Sequence, residues 1–132
     1  MPRQRQATPT KVELEILHVL WEHQPSTVRE VVDVLNRQRP RAYTSILSML
    51  NVMFEKGLVT REMRGRAHVY RAKKSREKTL GSVVRDVLGR AFQGSTTSLI
   101  AQVLEQSKPS ADELDEIRRT IEAWQNEEND NA

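Results

Sequence analysis

The chain has 132 residues, of which 37% are hydrophobic and 30% charged, and it contains no cysteine. This length accommodates one domain or two small ones. The lack of cysteine excludes disulfides, thiolate chemistry and cysteine metal sites. No segment approaches the roughly 20 apolar residues of a membrane span, and the basic, polar start does not resemble a signal peptide. We therefore expect a cytoplasmic protein with no membrane partner.

The net charge of +3 conceals an uneven distribution of charge along the chain. Residues 1–79 carry 16 Lys or Arg against 8 Asp or Glu, a net charge of +8, whereas residues 80–132 carry 5 against 10, a net charge of −5. A basic half joined to an acidic half indicates that the first half binds nucleic acid and that the second half has a different role. A solvated surface with uneven charge is the simpler alternative.

Two capping boxes predict the first two helices. Residues 1–8 are polar and without periodicity, so we expect them to form a flexible arm. Thr10 with Glu13, and Thr27 with Glu30, have the Ser/Thr-x-x-Glu form that begins a helix. Apolar residues at helical spacing follow both boxes, and the second helix is expected to end near Asn36.

Residues 42–57 predict a third helix, which is the centre of the functional hypothesis. One face of this helix is apolar, and Gly57 stands where a helix commonly ends. The other face begins with Thr44, Ser45 and Ser48, whose hydroxyl groups can donate or accept hydrogen bonds at base edges when a helix enters the major groove. In isolation this stretch is also typical of an ordinary surface helix.

The segment after Gly57 predicts a basic β-hairpin. Residues 58–64 and 67–71 have the composition of two short strands around a turn at Gly65 and Arg66. A helix followed by a basic hairpin is the order of a winged helix-turn-helix domain, here residues 9–74, in which arginines of the wing contact phosphates. The predicted DNA-binding residues are Arg41, Tyr43, Thr44, Ser45, Ser48, Arg61, Arg64 and Arg66.

Residues 75–125 predict three further helices with apolar stripes, and residues 126–132 are expected to be frayed. About 50 residues bury too little apolar surface to form a stable core alone, so these helices need a partner. A second copy of the chain is the expected partner, and packing onto the first domain is the alternative. The predicted dimerisation residues are Leu80, Val84, Val87, Leu88, Phe92, Leu99, Ile100, Val103, Leu114, Ile117, Ile121 and Trp124.

No motif predicts catalysis, a cofactor or a metal site. The three histidines, His18, His23 and His68, are scattered along the chain, and no glycine-rich phosphate loop is present. Glu15, His18 and Glu22 share one helical stripe, but one histidine with two exposed carboxylates is a poor ligand set. We therefore predict that the protein is not an enzyme.

Several motifs together match one known family. They are Glu13-Leu14-Glu15-Ile16-Leu17 with Leu20-Trp21, Thr27-Val28-Arg29-Glu30-Val31, Ala42-Tyr43-Thr44-Ser45 with Glu55-Lys56-Gly57-Leu58-Val59, and Gly65-Arg66-Ala67-His68-Val69-Tyr70. Through these motifs the chain resembles the penicillinase repressor family, the BlaI/MecI type of bacterial winged-helix regulator, from about residue 12 to residue 124. The resemblance implies a mainly α fold with a small β-hairpin wing and a three-helix C-terminal dimerisation region. It also implies a homodimeric repressor whose helix at 43–56 enters the major groove of an inverted-repeat operator.

Two departures from the family pattern bear on how such a repressor is induced. Resemblance to the antibiotic-resistance members implies inactivation by cleavage at an Asn-Phe bond in the dimerisation region. The matching position here is Gln102-Val103, which argues against induction by a protease of the same specificity. Copper-responsive members carry a cysteine cluster that this chain lacks. This lack of cysteine argues against direct copper sensing by that route. The expected partners are double-stranded operator DNA, a second copy of the chain, and a sensor or protease that controls induction. The alternative function is a winged-helix adaptor that binds another protein and not specific DNA.

Overall fold

The structure is a computed structural model that describes residues 8–131. Over this range the chain is mainly α-helical, with a two-stranded antiparallel hairpin after the third helix, as the sequence predicts. The elements in chain order are α1 (Lys11–His23), α2 (Val28–Leu35), α3 (Tyr43–Lys56), β1 (Val59–Arg64), β2 (Ala67–Ala72), α4 (Arg76–Phe92), α5 (Thr96–Ser107) and α6 (Ala111–Asp130). The predicted flexible arm lies outside the described residues except for Thr8.

Both predicted capping boxes are present and fix where α1 and α2 begin. The Glu13 backbone N–H donates to Thr10 Oγ1 at 3.2 Å, and the Thr10 N–H donates to Glu13 Oε1 at 2.8 Å. Thr27 and Glu30 make the same pair of bonds at 3.1 and 2.8 Å. Each box satisfies backbone donors that a helix start leaves unpaired. The position of each helix start is therefore encoded locally.

The core of the first domain is formed by α1, α2, α3 and the hairpin. α1 packs on α2 and β2, while α3 packs on α2 and β1. The buried hydrophobic residues of this core are Ile16, Leu17, Val19, Leu20, Val28, Val31, Val32, Leu35, Ile46, Leu50, Met53, Val59 and Tyr70. Residues from the hairpin and from all three helices therefore share one core, which makes the wing an integral part of the domain.

The hairpin is anchored to the helices through Tyr70. β1 and β2 pair in register from Val59 opposite Ala72 to Arg64 opposite Ala67. Ser26, in the α1–α2 connection, adds a short bridge to β2: its N–H donates to the Tyr70 carbonyl at 3.1 Å and the Tyr70 N–H donates to its carbonyl at 2.8 Å. Val69 and Tyr70 are both buried although consecutive strand residues point to opposite faces. Both faces of β2 are therefore covered at this point.

The described residues divide into two compact units, the first ending at residue 87 and the second beginning at residue 88, so that α4 begins in the first and ends in the second. The boundary expected from the sequence lies between residues 74 and 75, before the start of α4. The first turn of α4 falls in the first unit, and its fourth residue, Thr79, is buried. Burial of a threonine near a helix start is not visible in local sequence.

The C-terminal end also differs from the expectation. Residues 126–130 continue α6, whereas the sequence predicts a frayed tail over 126–132, of which Ala132 lies outside the described residues. The Asn131 N–H donates to the Glu127 carbonyl at 3.1 Å, which extends the hydrogen-bonding pattern of the helix to its end. Residues 126–130 are all polar or charged and all exposed, so the helix can continue through them without packing against another element.

Gly57, the C-cap of α3, allows a test of the backbone conformation that ends this helix. Its φ of +81° lies in the left-handed region, and an added Cβ would come no closer than 3.9 Å to the Lys73 Nζ. Replacing Gly57 with Ala is therefore expected to lower the free energy of unfolding by about 1 kcal/mol through backbone strain alone. Denaturant unfolding would measure the change.

The matched control is Gly89→Ala within α4, where a Cβ meets no atom within 4 Å. Alanine is the better helix former there, so the free energy of unfolding is expected to stay the same or to rise by up to about 1 kcal/mol. Equal effects at the two glycines would contradict the left-handed assignment of Gly57.

Candidate nucleic-acid interface

The two faces of α3 separate apolar from hydroxyl side chains. Ile46, Leu50 and Met53 are buried in the core. Thr44, Ser45 and Ser48 are exposed on the other side of the helix, as is Tyr43 with 39% of its surface accessible. The structure thus places these four sequence-predicted residues on the outer surface, where their hydroxyl groups can reach a ligand.

The beginning of α3 is open to an anionic ligand. Its N-cap is Ala42, whose side chain caps nothing, and its first turn holds no acidic residue. The unpaired N–H groups and the helix dipole give this end a partial positive charge. A polyanion approaching the exposed hydroxyl groups would therefore meet a favourable field.

The turn of the hairpin presents two exposed arginines. Arg64 ends β1 and Arg66 lies in the turn after Gly65, whose φ is +66°. The Arg64 Nη2 is 3.9 Å from Glu62 Oε1, and both side chains are more than 60% exposed. Such a long, solvated ion pair holds an arginine only weakly. Both guanidinium groups are therefore accessible, as the sequence predicts for wing residues.

Arg61 lies between the wing and α3 and is half-buried. Its guanidinium carbon is 3.9 Å from the centre of the Phe54 ring, and its Nη1 donates to Asn51 Oδ1 at 3.1 Å. This cation–π contact and hydrogen bond join β1 to the outer side of α3. Arg61, predicted from the sequence to contact phosphates, thus holds the wing against α3.

Arg41 is not on the exposed surface, contrary to the prediction that it contacts the DNA backbone. Its side chain is 9% exposed, and its Nη2 donates to Glu15 Oε2 at 3.1 Å. The surrounding turn is basic, which is why composition suggested a phosphate contact. Composition carries no information on the acidic partner from α1, which lies 26 residues earlier in the chain.

One further arginine near α3 is not among the DNA-binding residues predicted from the sequence. Arg29, exposed on α2, places its guanidinium carbon 4.8 Å from the centre of the Tyr43 ring. This contact brings a positive charge to the beginning of α3, beside the hydroxyl groups. No spacing rule predicts it, because the two residues meet only through the packing of α2 on α3.

The predicted dimerisation residues remain accessible in the single chain. None of the residues of α5 and α6 is buried, and Thr79 is the buried residue of α4. The exposed fractions are largest for Trp124 at 62%, Val84 at 52% and Val103 at 50%, with 38–47% for Val87, Ile100 and Ile121. The other six, Leu80, Leu88, Phe92, Leu99, Leu114 and Ile117, are half-buried. These helices therefore present an apolar surface that the described chain does not cover.

Residues 8–131 lack the structural features of a metal site and of a membrane span. This range contains no group of three or more His, Cys, Asp or Glu side chains placed to hold a metal ion. It also contains no helix with the length and hydropathy needed to cross a bilayer.

Comparison with known proteins assigns the chain to a family. A family model described as penicillinase repressor matches residues 9–123. The chain belongs to the penicillinase repressor family. Family membership confirms the winged-helix fold and identifies the protein as a DNA-binding transcriptional regulator that is not an enzyme.

Curated relatives agree with this assignment over most of their length. The chain is 30% identical over 112 residues to the transcriptional regulator BlaI of Mycobacterium tuberculosis, covering 83% of this chain and 80% of the relative. It is 25% identical over 114 residues to the penicillinase repressor of Bacillus licheniformis, covering 86% and 89%. It is 16% identical over 112 residues to the methicillin resistance regulatory protein MecI of Staphylococcus aureus, covering 85% and 91%.

The exposed wing predicts a sequence-independent contribution to DNA affinity. Replacing Arg66 with Ala is expected to weaken binding to all duplexes and to reduce the slope of log affinity against log salt by about one, because one phosphate contact is lost. Binding titrations between low and moderate salt would measure both quantities.

The matched control is Arg119→Ala. Arg119 is an exposed arginine of α6, far along the chain from the wing, so its removal is expected to leave the slope of log affinity against log salt unchanged. An Arg66→Ala protein with wild-type affinity and salt slope would show that the wing does not contact phosphates.

Proposed function

We propose that the protein is a homodimeric repressor that occupies an inverted-repeat operator, with α3 in the major groove and the hairpin along the backbone. The observation that carries this proposal is the exposed row of hydroxyl groups on α3 beside the exposed arginines of the hairpin turn. Membership of the penicillinase repressor family supports the same function.

Base recognition is assigned to Thr44, Ser45 and Ser48, with Tyr43 at the beginning of the same face. Hydroxyl groups can donate to or accept from base edges, and the threonine methyl can contact the methyl of thymine. All four side chains are exposed on one end of α3, the end that recognition helices direct at base pairs. This group would therefore determine which operator is bound.

Affinity is assigned mainly to Arg64 and Arg66. Their charges lie on the hairpin turn, and phosphate contacts release counterions whatever the base sequence. Arg61 contributes a further positive charge while it stacks on Phe54. The net charge of +8 on residues 1–79 would add longer-range attraction to the same polyanion.

Dimerisation is assigned to the exposed apolar residues of α4, α5 and α6. Helices with an apolar stripe are stable when that stripe is buried, and the symmetric homodimer is the commonest kind of soluble oligomer. A dimer would also present two copies of α3 to two half-sites, about 34 Å or a multiple of that apart. An inverted-repeat operator would reflect the two-fold symmetry of the protein.

Induction would require a third partner, a sensor or protease. The position at which the resemblance places a cleavage site, Gln102-Val103, lies inside α5. A helical segment must open locally before a protease can bind it as an extended strand. Any such cleavage would therefore depend on the stability of α5 as well as on the residues at the bond.

A winged-helix adaptor that binds a protein is the alternative function. The family assignment favours DNA, and mixed-sequence DNA at low salt distinguishes the two. A basic DNA-binding domain binds such DNA without sequence preference, whereas an adaptor has no reason to bind it. Failure of the wild-type protein to bind would support the adaptor.

The hydroxyl groups of α3 can be tested through sequence preference. Thr44→Ala and Ser45→Ala are expected to change the preferred base at one or two positions, at a cost of about 1 to 3 kcal/mol each for the wild-type site. Selection from randomised duplexes would identify the preferred sequence of each variant. Unchanged preference in both variants would contradict their role in base recognition.

The dimer can be tested on α6 with a pair of aspartate substitutions. Ile121→Asp places a charge in the exposed apolar stripe and is expected to dissociate the dimer at micromolar concentration, as measured by sedimentation. Ala123→Asp places the same charge on the opposite side of the helix and is expected to leave the dimer intact. A wild-type protein that sediments as a monomer and still represses would contradict the proposal.

A further inference from the structure

Two carboxylates of α1 contact the residues at the two ends of α3. At the C-terminal end, Lys56 Nζ is 2.7 Å from Oε2 of Glu13, which is 1% exposed. At the N-terminal end, Arg41, two residues before α3 begins, places its Nη2 3.1 Å from Glu15 Oε2. The helix that presents the hydroxyl groups is therefore tied to α1 at both ends by charged hydrogen bonds.

Arg41 connects three helices. Its guanidinium contacts α1 through Glu15, and its backbone N–H donates to Asn36 Oδ1 at 2.7 Å, at the C-cap of α2. Arg41 makes both contacts from a position two residues before the first residue of α3. Together they fix the point and the direction in which the chain enters α3.

The burial of Arg41 separates its role from that of its basic neighbours. Its Nε and Nη1 atoms are buried, and a side chain that is 9% exposed cannot reach a phosphate without leaving Glu15. Arg39 carries the same charge but is 57% exposed and stands 3.9 Å from Glu15 Oε1. Arg37 is exposed as well. The turn thus contains arginines that face solvent and one that faces the protein.

We propose that Glu15 and Arg41 are positioning residues for base recognition, which set the orientation of α3 without contacting DNA. This inference rests on the proposed function. Hydrogen bonds to base edges require side chains to be held within about 0.5 Å and 10–20° of their productive geometry. Contacts with phosphates from a flexible arginine tolerate larger displacements. Loss of the pair should therefore reduce discrimination between duplexes more than it reduces affinity for DNA in general.

The experiment compares four variants, Glu15→Gln, Arg41→Met, the double variant and Arg41→Lys, with Arg37→Met as the matched control. Affinity is measured against a duplex selected with the wild-type protein and against mixed-sequence DNA, each over a range of salt. Methionine keeps an unbranched apolar stem in the space that Arg41 occupies. Thermal unfolding of each variant reports whether the domain remains folded.

Each single substitution of the pair is expected to lower affinity for the selected duplex by about tenfold, comparable to one mismatched base pair. Affinity for mixed DNA should not fall, and the salt slope should stay the same. The double variant should lose no more affinity for the selected duplex than either single variant, because each single substitution already removes the Glu15–Arg41 interaction. Arg41→Lys should restore part of the loss, since a lysine can still pair with Glu15. Arg37→Met should weaken binding to both kinds of DNA equally.

A direct phosphate contact by Arg41 would give a different pattern. Arg41→Met would then weaken binding to mixed DNA and lower the salt slope by about one, while Glu15→Gln would strengthen binding to both kinds of DNA. Additive losses in the double variant would overturn the proposal as well. If Arg41→Met is unfolded, Glu15→Gln and Arg41→Lys decide the question. Failure of the proposed function is recognised separately, because the wild-type protein would then select no duplex.

Discussion

Burial of one face of α3 is the constraint on which the rest of the structure depends. Ile46, Leu50 and Met53 are removed from water against α2 and β1, and the transfer of such side chains is worth about 1.5–3 kcal/mol each. A helix has one orientation that buries this row, and in that orientation Thr44 and Ser45 point outwards. The proposed recognition surface is therefore a consequence of core packing, and it needs no separate stabilisation.

Charge pairing inside the domain decides which arginines can meet a ligand. The α1 carboxylates pair with Arg41, two residues before α3 begins, and with Lys56, the last residue of α3. Arg61 is held by an aromatic ring and an amide. Arg64 and Arg66, on the hairpin turn, remain accessible. A basic sequence thus contains two classes of arginine: one class orders the DNA-binding domain, and the other gives that domain its external charge.

The C-terminal helices present the opposite situation, because their apolar stripes are not buried within the described chain. An exposed apolar row on successive helices marks an interaction surface. In the proposed dimer this surface would join two DNA-binding domains. Each of the two copies of α3 would then read one half-site of the operator. The acidic charge of residues 80–132 would at the same time keep this part of the protein away from DNA.

The sequence by itself determined the elements of this protein. Capping boxes, helical periodicity and the glycines at residues 57 and 65 are local signals, so all helices and the hairpin were predictable, as were the exposed hydroxyl groups of α3. Tertiary structure decided what distant residues do to one another. Three features depend on helix packing: the pairing of Arg41 with Glu15, the stacking of Arg29 on Tyr43, and the burial of Thr79 at the start of α4. Whether an arginine pairs inside the protein or faces solvent was not predictable from the sequence. Its electrostatic energy depends on the distance to the nearest opposite charge, and no spacing along the chain specifies that distance.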